Sequence, residues 1–204
     1  MGEAEAVWSR TPDGPVYLVP TSFSPDHAVL AAFGPTQTGK FGIYMVQLID
    51  KNGMAAKTPV PQLWRRNEFN DAFAEFSPRG DAFAYMSDES GRYEIYVTSY
   101  PAPGPRCRVS KGADPGWTPD GKAILIRSGV SIIAMDVKSI ESCEIGTPRV
   151  LFSGAFPDRN GYGRDATADG RLLMMENKSI LQPSQTLNVI TNFFGELRRR
   201  VPIS

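Results

Sequence analysis

The single histidine of the sequence, His27, decides which nucleophilic chemistry is open to this chain. Ser-His-Asp and Cys-His sites use a histidine as general base, so any such site would need this residue. His27 ends a Ser-Pro-Asp-His turn, and the equivalent turns elsewhere in the chain end in glycine. We therefore interpret it as a turn residue. No G-x-S-x-G nucleophile elbow occurs either, so we predict no catalytic residues and expect that the chain is not an enzyme.

Asp88 and Glu89 are adjacent carboxylates that could supply oxygen ligands to a hard cation such as Ca²⁺. A calcium site needs several such oxygens, and the DxDxDG spacing of a calcium loop is absent. We expect a solvated turn here and predict no metal site. Asp88 and Glu89 are kept as candidate binding residues, together with Trp8 and Trp64, two tryptophans that fall outside the repeated pattern described below.

A glycine-bounded segment and the two cysteines are the remaining features that could carry cofactor or redox chemistry. Residues 34–39, GPTQTG, begin and end with glycine and precede Lys40, but they lack the GK[ST] ending of a P-loop, so we predict no cofactor. Cys107 and Cys143 form no CxxC motif and have no histidine nearby, which argues against zinc and thioredoxin-like sites. A disulfide between them requires Cα atoms within about 7 Å, and the sequence leaves that open.

The composition limits the classes of partner. The 204 residues carry 22 basic and 22 acidic side chains, so no net field attracts nucleic acid or anionic lipid, and we predict neither partner. No window approaches the roughly 18 apolar residues of a membrane span, and the start lacks the pattern of a secretory signal. The 19 glycines and 17 prolines indicate many turns between short elements.

Residues 73–97 contain the pattern that organises the chain. Three short runs of strand-forming residues are separated by turns rich in Pro, Gly, Ser and Asp. The same turn recurs near Ser24, Ser77, Thr118 and Thr167, at intervals of roughly 40 to 50 residues. A single four-stranded sheet cannot cover both of its faces, whereas sheets packed face to face around an axis bury both.

We therefore predict an all-β fold, a β-propeller of four-stranded antiparallel blades. About four blades are expected, in an incomplete ring or a fragment of a larger one. The predicted division is a single domain over 1–204, with outer strands of a partial blade at 1–20, blades at 21–64, 72–110, 115–153 and 162–194, and a tail at 195–204.

Side chains at equivalent places should share an environment. Phe23, Phe76 and Trp117 each precede a repeated turn, and we predict that all three belong to the core between blades. Residues 6–10 and 16–19 are predicted to be unattached strands. They either complete the last blade or leave blade edges open, and open edges would allow self-association.

The segments SFSPDH, EFSPRGDAFAYMSDESGRYEIYV and GWTPDGKAILI resemble the repeats of TolB-like β-propellers. More narrowly, the series is similar to the C-terminal propellers of bacterial serine/threonine protein kinases. Three turn residues depart from the pattern: His27 in place of Gly, Arg79 in place of Asp and Ala168 in place of Pro. The kinase's own motifs are absent, so the resemblance implies no kinase activity for this chain.

This resemblance implies a binding, sensing or protein-interaction module of a larger protein such as a receptor-type kinase. Two alternatives stay open: an accessory propeller that gates a hydrolase or peptidase, and a structural assembly scaffold. The sequence does not identify the partner, which could be a protein or a small ligand. It does not identify the compartment either. The kinase resemblance would imply a periplasmic or extracellular location.

Overall fold

The computed structural model describes residues 14–50, 52–65, 68–154, 164–166 and 172–174. These residues form fifteen β-strands and no helix, which confirms the prediction of an all-β fold. The strands are β1 (Val19–Phe23), β2 (Val29–Pro35), β3 (Phe41–Gln47), β4 (Pro61–Leu63), β5 (Asp71–Phe76), β6 (Ala82–Ser87), β7 (Glu94–Ser99), β8 (Cys107–Lys111), β9 (Ala113–Trp117), β10 (Ala123–Ser128), β11 (Ser131–Ser139), β12 (Glu144–Ile145), β13 (Arg149–Ser153), β14 (Arg164–Ala166) and β15 (Leu172–Met174).

The strands form sheets in chain order. Blade 1 is β1-β2-β3-β4, blade 2 is β5-β6-β7-β8, and blade 3 is β9-β10-β11-β12, with β13 also paired to β11. Every pairing is antiparallel, and β14 pairs with β15 in a separate two-stranded sheet. The predicted domain division into four blades stays a prediction, because most of 162–194 lies outside the described residues.

The predicted turns form between the first two strands of each blade. The backbone N–H of His27 donates to the Ser24 carbonyl at 2.8 Å, and that of Gly121 donates to the Thr118 carbonyl at 2.8 Å. The fourth turn residue has a left-handed backbone in all three blades, with φ of 56° at His27, 73° at Gly80 and 67° at Gly121. Glycine adopts this conformation without steric cost, whereas histidine does not.

Consecutive blades pack face to face through clusters of different chemistry. The junction between blades 1 and 2 buries aromatic side chains of blade 2, among them Phe76, Phe83, Tyr85 and Tyr96. The junction between blades 2 and 3 is mostly aliphatic, with Trp117 at its inner strand. Along β6 these faces alternate strictly, because Phe83 and Tyr85 face blade 1 while Ala82, Ala84 and Met86 face blade 3.

Two predictions about the start of the chain differ from the structure. Phe76 and Trp117 are buried as predicted, but Phe23 is 53% exposed, since no described sheet covers its side of blade 1. Residues 14–18 form no strand, and Val19 instead opens β1 as the first strand of blade 1. Residues 6–10 lie outside the described residues.

Candidate functional site

Asn70, at the entrance to blade 2, holds the loop that carries both predicted carboxylates. Its backbone N–H donates to Asp88 Oδ1 at 2.8 Å, and its side-chain Nδ2 donates to Asp88 Oδ2 at 2.7 Å. The Asn70 Oδ1 accepts the backbone N–H of Phe41 from blade 1 at 3.0 Å. Asp88 is therefore a clamped structural residue, and its two oxygens are directed at Asn70.

Glu89 is held from the other side by Arg106, which precedes β8. Arg106 Nη2 lies 2.5 Å from Glu89 Oε2 and 3.7 Å from Asp71 Oδ1. Its Nε donates to the Tyr85 hydroxyl at 3.0 Å, and its guanidinium lies 5.9 Å from the ring centres of Phe69 and Tyr96. One arginine thus joins the β6–β7 loop, the start of β5 and the sheet face.

The protonation states in this cluster are fixed by its environment. Burial alone would lower the pKa of Arg106, but the neighbouring Tyr85, Asp71 and Glu89 favour the charged form and leave that pKa raised. Burial raises the pKa of the Tyr85 hydroxyl well above its ordinary value. Arg106 is therefore a cation and Tyr85 neutral across the physiological pH range.

Two aromatic side chains remain at the surface beside this clamped loop. Phe69, next to Asn70, is 37% exposed, and Tyr93, at the far end of the β6–β7 loop, is 46% exposed. Burial raises the pKa of Tyr93, and the negative charge of the neighbouring Asp88 adds a smaller effect in the same direction. We call Phe69, Asp88, Glu89 and Tyr93 the rim patch.

Trp64, one of the candidate binding residues, is only partly exposed. It is half-buried against the junction of blades 1 and 2, with its ring centre 5.3 Å from Phe83 and 5.2 Å from Tyr100. Its indole N–H donates no hydrogen bond within the described part of the chain. Trp8 lies outside the described residues, and a binding role for either tryptophan stays a prediction.

The sequence leaves open whether the two cysteines pair, and in the structure they do. Cys107 and Cys143 form a disulfide with their Cα atoms 5.1 Å apart. Cys107 is in β8 of blade 2 and Cys143 precedes β12 of blade 3, so the bond connects neighbouring blades at their outer strands. No spacing rule reveals such a bond, because it depends on how the two blades pack.

Within the described residues, no group of three or more metal-ligating side chains comes together. The same part of the chain contains no helix long and apolar enough to span a bilayer.

Comparison with solved structures identifies the architecture. A protein named as TolB from Agrobacterium tumefaciens matches 69% of this chain with a TM-score of 0.52 and 17% identity. The fold is that of a TolB-like β-propeller. The chain spans 50% of the length of that TolB structure, and at this identity the likeness shows the fold alone. No family model and no curated protein matches the chain. The narrower resemblance to kinase-attached propellers stays a prediction.

Two other matched structures correct the expectation that the chain is not an enzyme. One is a gluconolactonase from Xanthomonas campestris, with 12% identity, a TM-score of 0.45, and coverage of 80% of this chain and 71% of that one. The other is named as a 6-phosphogluconolactonase from Bacteroides uniformis, with 20% identity, a TM-score of 0.45, and coverage of 82% and 51%. The expectation was wrong because the absence of a few known motifs, such as histidine-dependent nucleophiles, P-loops, metal sites and kinase motifs, does not exclude other kinds of active site. These distant likenesses do not assign lactonase activity to this chain.

Proposed function

We propose that this chain is a protein-binding module and that the rim patch of blade 2 is its binding surface. The observation that supports this is the exposure of Phe69 and Tyr93 beside a loop whose two carboxylates, Asp88 and Glu89, are already bound within the chain. Aromatic anchors beside arginine are typical of binding hot spots, and a loop held before binding loses little entropy when a partner docks.

We also propose that the module works outside the cytosol. The Cys107–Cys143 disulfide supports this location, since such bonds persist in oxidising compartments and are rare where thiols are kept reduced. The sequence resemblance to kinase-attached propellers suggests a receptor-type kinase as parent protein, and the gene sequence upstream of this segment would test that suggestion.

Self-association through blade edges is less well supported. The outer strand β4 has three residues and contains Pro61, while β8 carries the exposed Arg108 and Lys111. The pairing of β13 with β11 shifts at a bulge beside Val150. Proline, positive charges and bulges each discourage edge-to-edge pairing.

Site-specific crosslinking tests the proposed binding surface. A photo-crosslinking residue in place of Tyr93 should form a covalent protein adduct in the cells that make this chain. The same residue in place of Val130, which is 68% exposed in the turn between β10 and β11, is the control. Adducts at 93 but not at 130 support the rim patch. Equal adducts at both positions, or none at 93, contradict it.

A further inference from the structure

Glu94, the first residue of β7, carries a carboxylate that lies below the surface of blade 2. Its side chain is 1% exposed. Its Oε2 accepts no hydrogen bond from the described residues. A buried carboxylate is costly unless cations lie close to it.

Two arginines lie against this carboxylate. Arg92 Nε is 3.1 Å from Glu94 Oε1, and Arg108 Nη1 is 3.6 Å from Glu94 Oε2. Burial would raise the pKa of Glu94, but the polar contacts of its carboxylate with Ser90 and Arg92 and the charge of Arg108 lower it overall. The carboxylate is therefore ionised at neutral pH. It accepts a hydrogen bond from Arg92 and attracts Arg108 as an ion pair.

The other ends of these guanidiniums face solvent. Arg92 and Arg108 are 59% and 64% exposed. Each uses one nitrogen towards Glu94, which leaves further N–H donors with no partner among the described residues. A second carboxylate could therefore be bound without displacing Glu94.

Acidic and basic side chains in this part of blade 2 differ in their exposure to solvent. Three acidic side chains are largely covered, with Glu94 at 1%, Asp71 at 7% and Glu89 at 22% exposure, and the half-buried Asp88 is bound by Asn70, whereas Arg92 and Arg108 are well exposed. The surface presented to a partner is thus positive although the whole chain has no net charge.

Arg149, another exposed arginine, has a different kind of acidic partner from Arg92 and Arg108. Arg149 is 62% exposed and lies 3.9 Å from Asp136, which is itself 58% exposed. That pair is loose and solvated, and neither group holds the other in a fixed position. Arg149 therefore matches Arg92 and Arg108 in charge and exposure but lacks a buried carboxylate behind it.

We propose that Arg92 and Arg108, positioned by Glu94, bind a carboxylate-rich segment of the protein partner. This inference rests on the proposed function, because Arg92 immediately precedes Tyr93 of the rim patch. Guanidinium groups bind carboxylates through parallel charge-assisted hydrogen bonds, so two arginines that share one buried carboxylate favour a segment with closely spaced Asp or Glu residues.

The test uses the purified chain and a fluorescent octaglutamate peptide at low salt, with an octaglutamine peptide as the reference. The wild type should bind octaglutamate at least tenfold more tightly than octaglutamine. Arg92→Gln and Arg108→Gln should each weaken this binding at least fivefold, whereas Arg149→Gln should leave it within twofold. Equal weakening by all three substitutions would reduce the effect to general charge and overturn the proposal.

The Glu94→Gln variant distinguishes the positioning of the two arginines from the net charge of the surface. This substitution makes the surface more positive, so a merely electrostatic surface would bind octaglutamate more tightly. Positioned arginines should instead bind it at least threefold less tightly. Tighter or unchanged binding by Glu94→Gln would contradict the proposal, with thermal unfolding used to confirm that the variant is folded.

The two proposals fail differently. Adducts at position 93 without selective octaglutamate binding would leave the protein-binding role standing and overturn the acidic-segment inference. Selective octaglutamate binding without adducts at 93 would support the arginine site and contradict the rim patch.

Discussion

The two junctions of blade 2 are built differently. Towards blade 1 it presents aromatic rings together with Asn70 and Arg106, which tie loops and strands together by hydrogen bonds and ion pairs. Towards blade 3 it presents smaller aliphatic side chains, and the Cys107–Cys143 disulfide connects the outer strands. The comparison indicates that a covalent bond stabilises the packing of blade 2 on blade 3. The junction of blades 1 and 2 instead positions the rim patch.

The largest expected effect comes from removing the central ring of the aromatic junction. Phe83 has 0% exposure and lies near Trp64, Phe76, Tyr85 and Tyr100. Phe83→Ala should lower the free energy of unfolding by about 3–5 kcal/mol, because both burial and packing are lost. Tyr93→Ala, at an exposed ring, is the control and should change it by less than about 1 kcal/mol. Equal losses in denaturant unfolding would contradict this picture of the junction.

Opening the disulfide tests the other junction. The bond closes a loop with a sequence separation of 36. Reduction should lower the free energy of unfolding by about 3–4 kcal/mol, chiefly because the unfolded chain gains conformational entropy when the crosslink is removed. The double variant Cys107→Ala/Cys143→Ala should match the reduced wild type within about 1 kcal/mol, apart from the small loss of buried sulfur. If reduction has no effect on denaturant unfolding, the blades are not stabilised by this bond.

Loss of Arg106 should have a smaller effect on stability. Arg106→Met keeps much of the apolar stem but leaves Asp71 and Glu89 without their cation. We expect a loss of about 2–3 kcal/mol, below the range for fully buried pairs because Arg106 is 18% exposed. Arg79→Met removes an exposed cation paired with Asp81 and should change stability by less than about 0.5 kcal/mol. Similar losses in both variants would show that the Arg106 cluster has no special role.

The smallest expected change is a gain at His27. Its left-handed backbone, with φ of 56°, favours glycine, so His27→Gly should stabilise the chain by about 0.5–1 kcal/mol after the entropy of glycine in the unfolded state is included. His27→Ala keeps the strained conformation and should give no gain. Thermal unfolding measures both variants, and equal behaviour would mean that backbone strain does not limit this turn.

The parts of the fold that could be predicted from sequence are local. The turns that end at His27, Gly80 and Gly121 follow from Ser or Thr and Pro at fixed positions, and the burial of Phe76 and Trp117 follows from the repeat. Phe23 has the same local pattern but is exposed, because burial also depends on a neighbouring sheet. Local sequence therefore predicts each blade better than it predicts what lies beside the blade.

The candidate site was predicted only in part. Asp88 and Glu89 were identified as adjacent carboxylates, but their partners Asn70 and Arg106 are 18 and 17 residues away and meet them only through strand pairing. Glu94 was missed, although a glutamate at the head of the apolar strand Glu94–Ser99 is the signal that could have revealed it. The left-handed backbone of Phe73 in β5, with φ of 55°, has no signal in sequence, since phenylalanine disfavours that conformation.

Hydroxyl-radical footprinting tests the central claim most directly, because the chain offers a matched pair of tyrosines. Tyr17 and Tyr93 are 48% and 46% exposed, so both should be modified at similar rates in the dilute purified chain. In the cells that make this chain, Tyr93 should be protected by the bound partner at least fivefold more than Tyr17. If Tyr93 in cells stays as reactive as Tyr17, the rim patch is not a protein-binding surface.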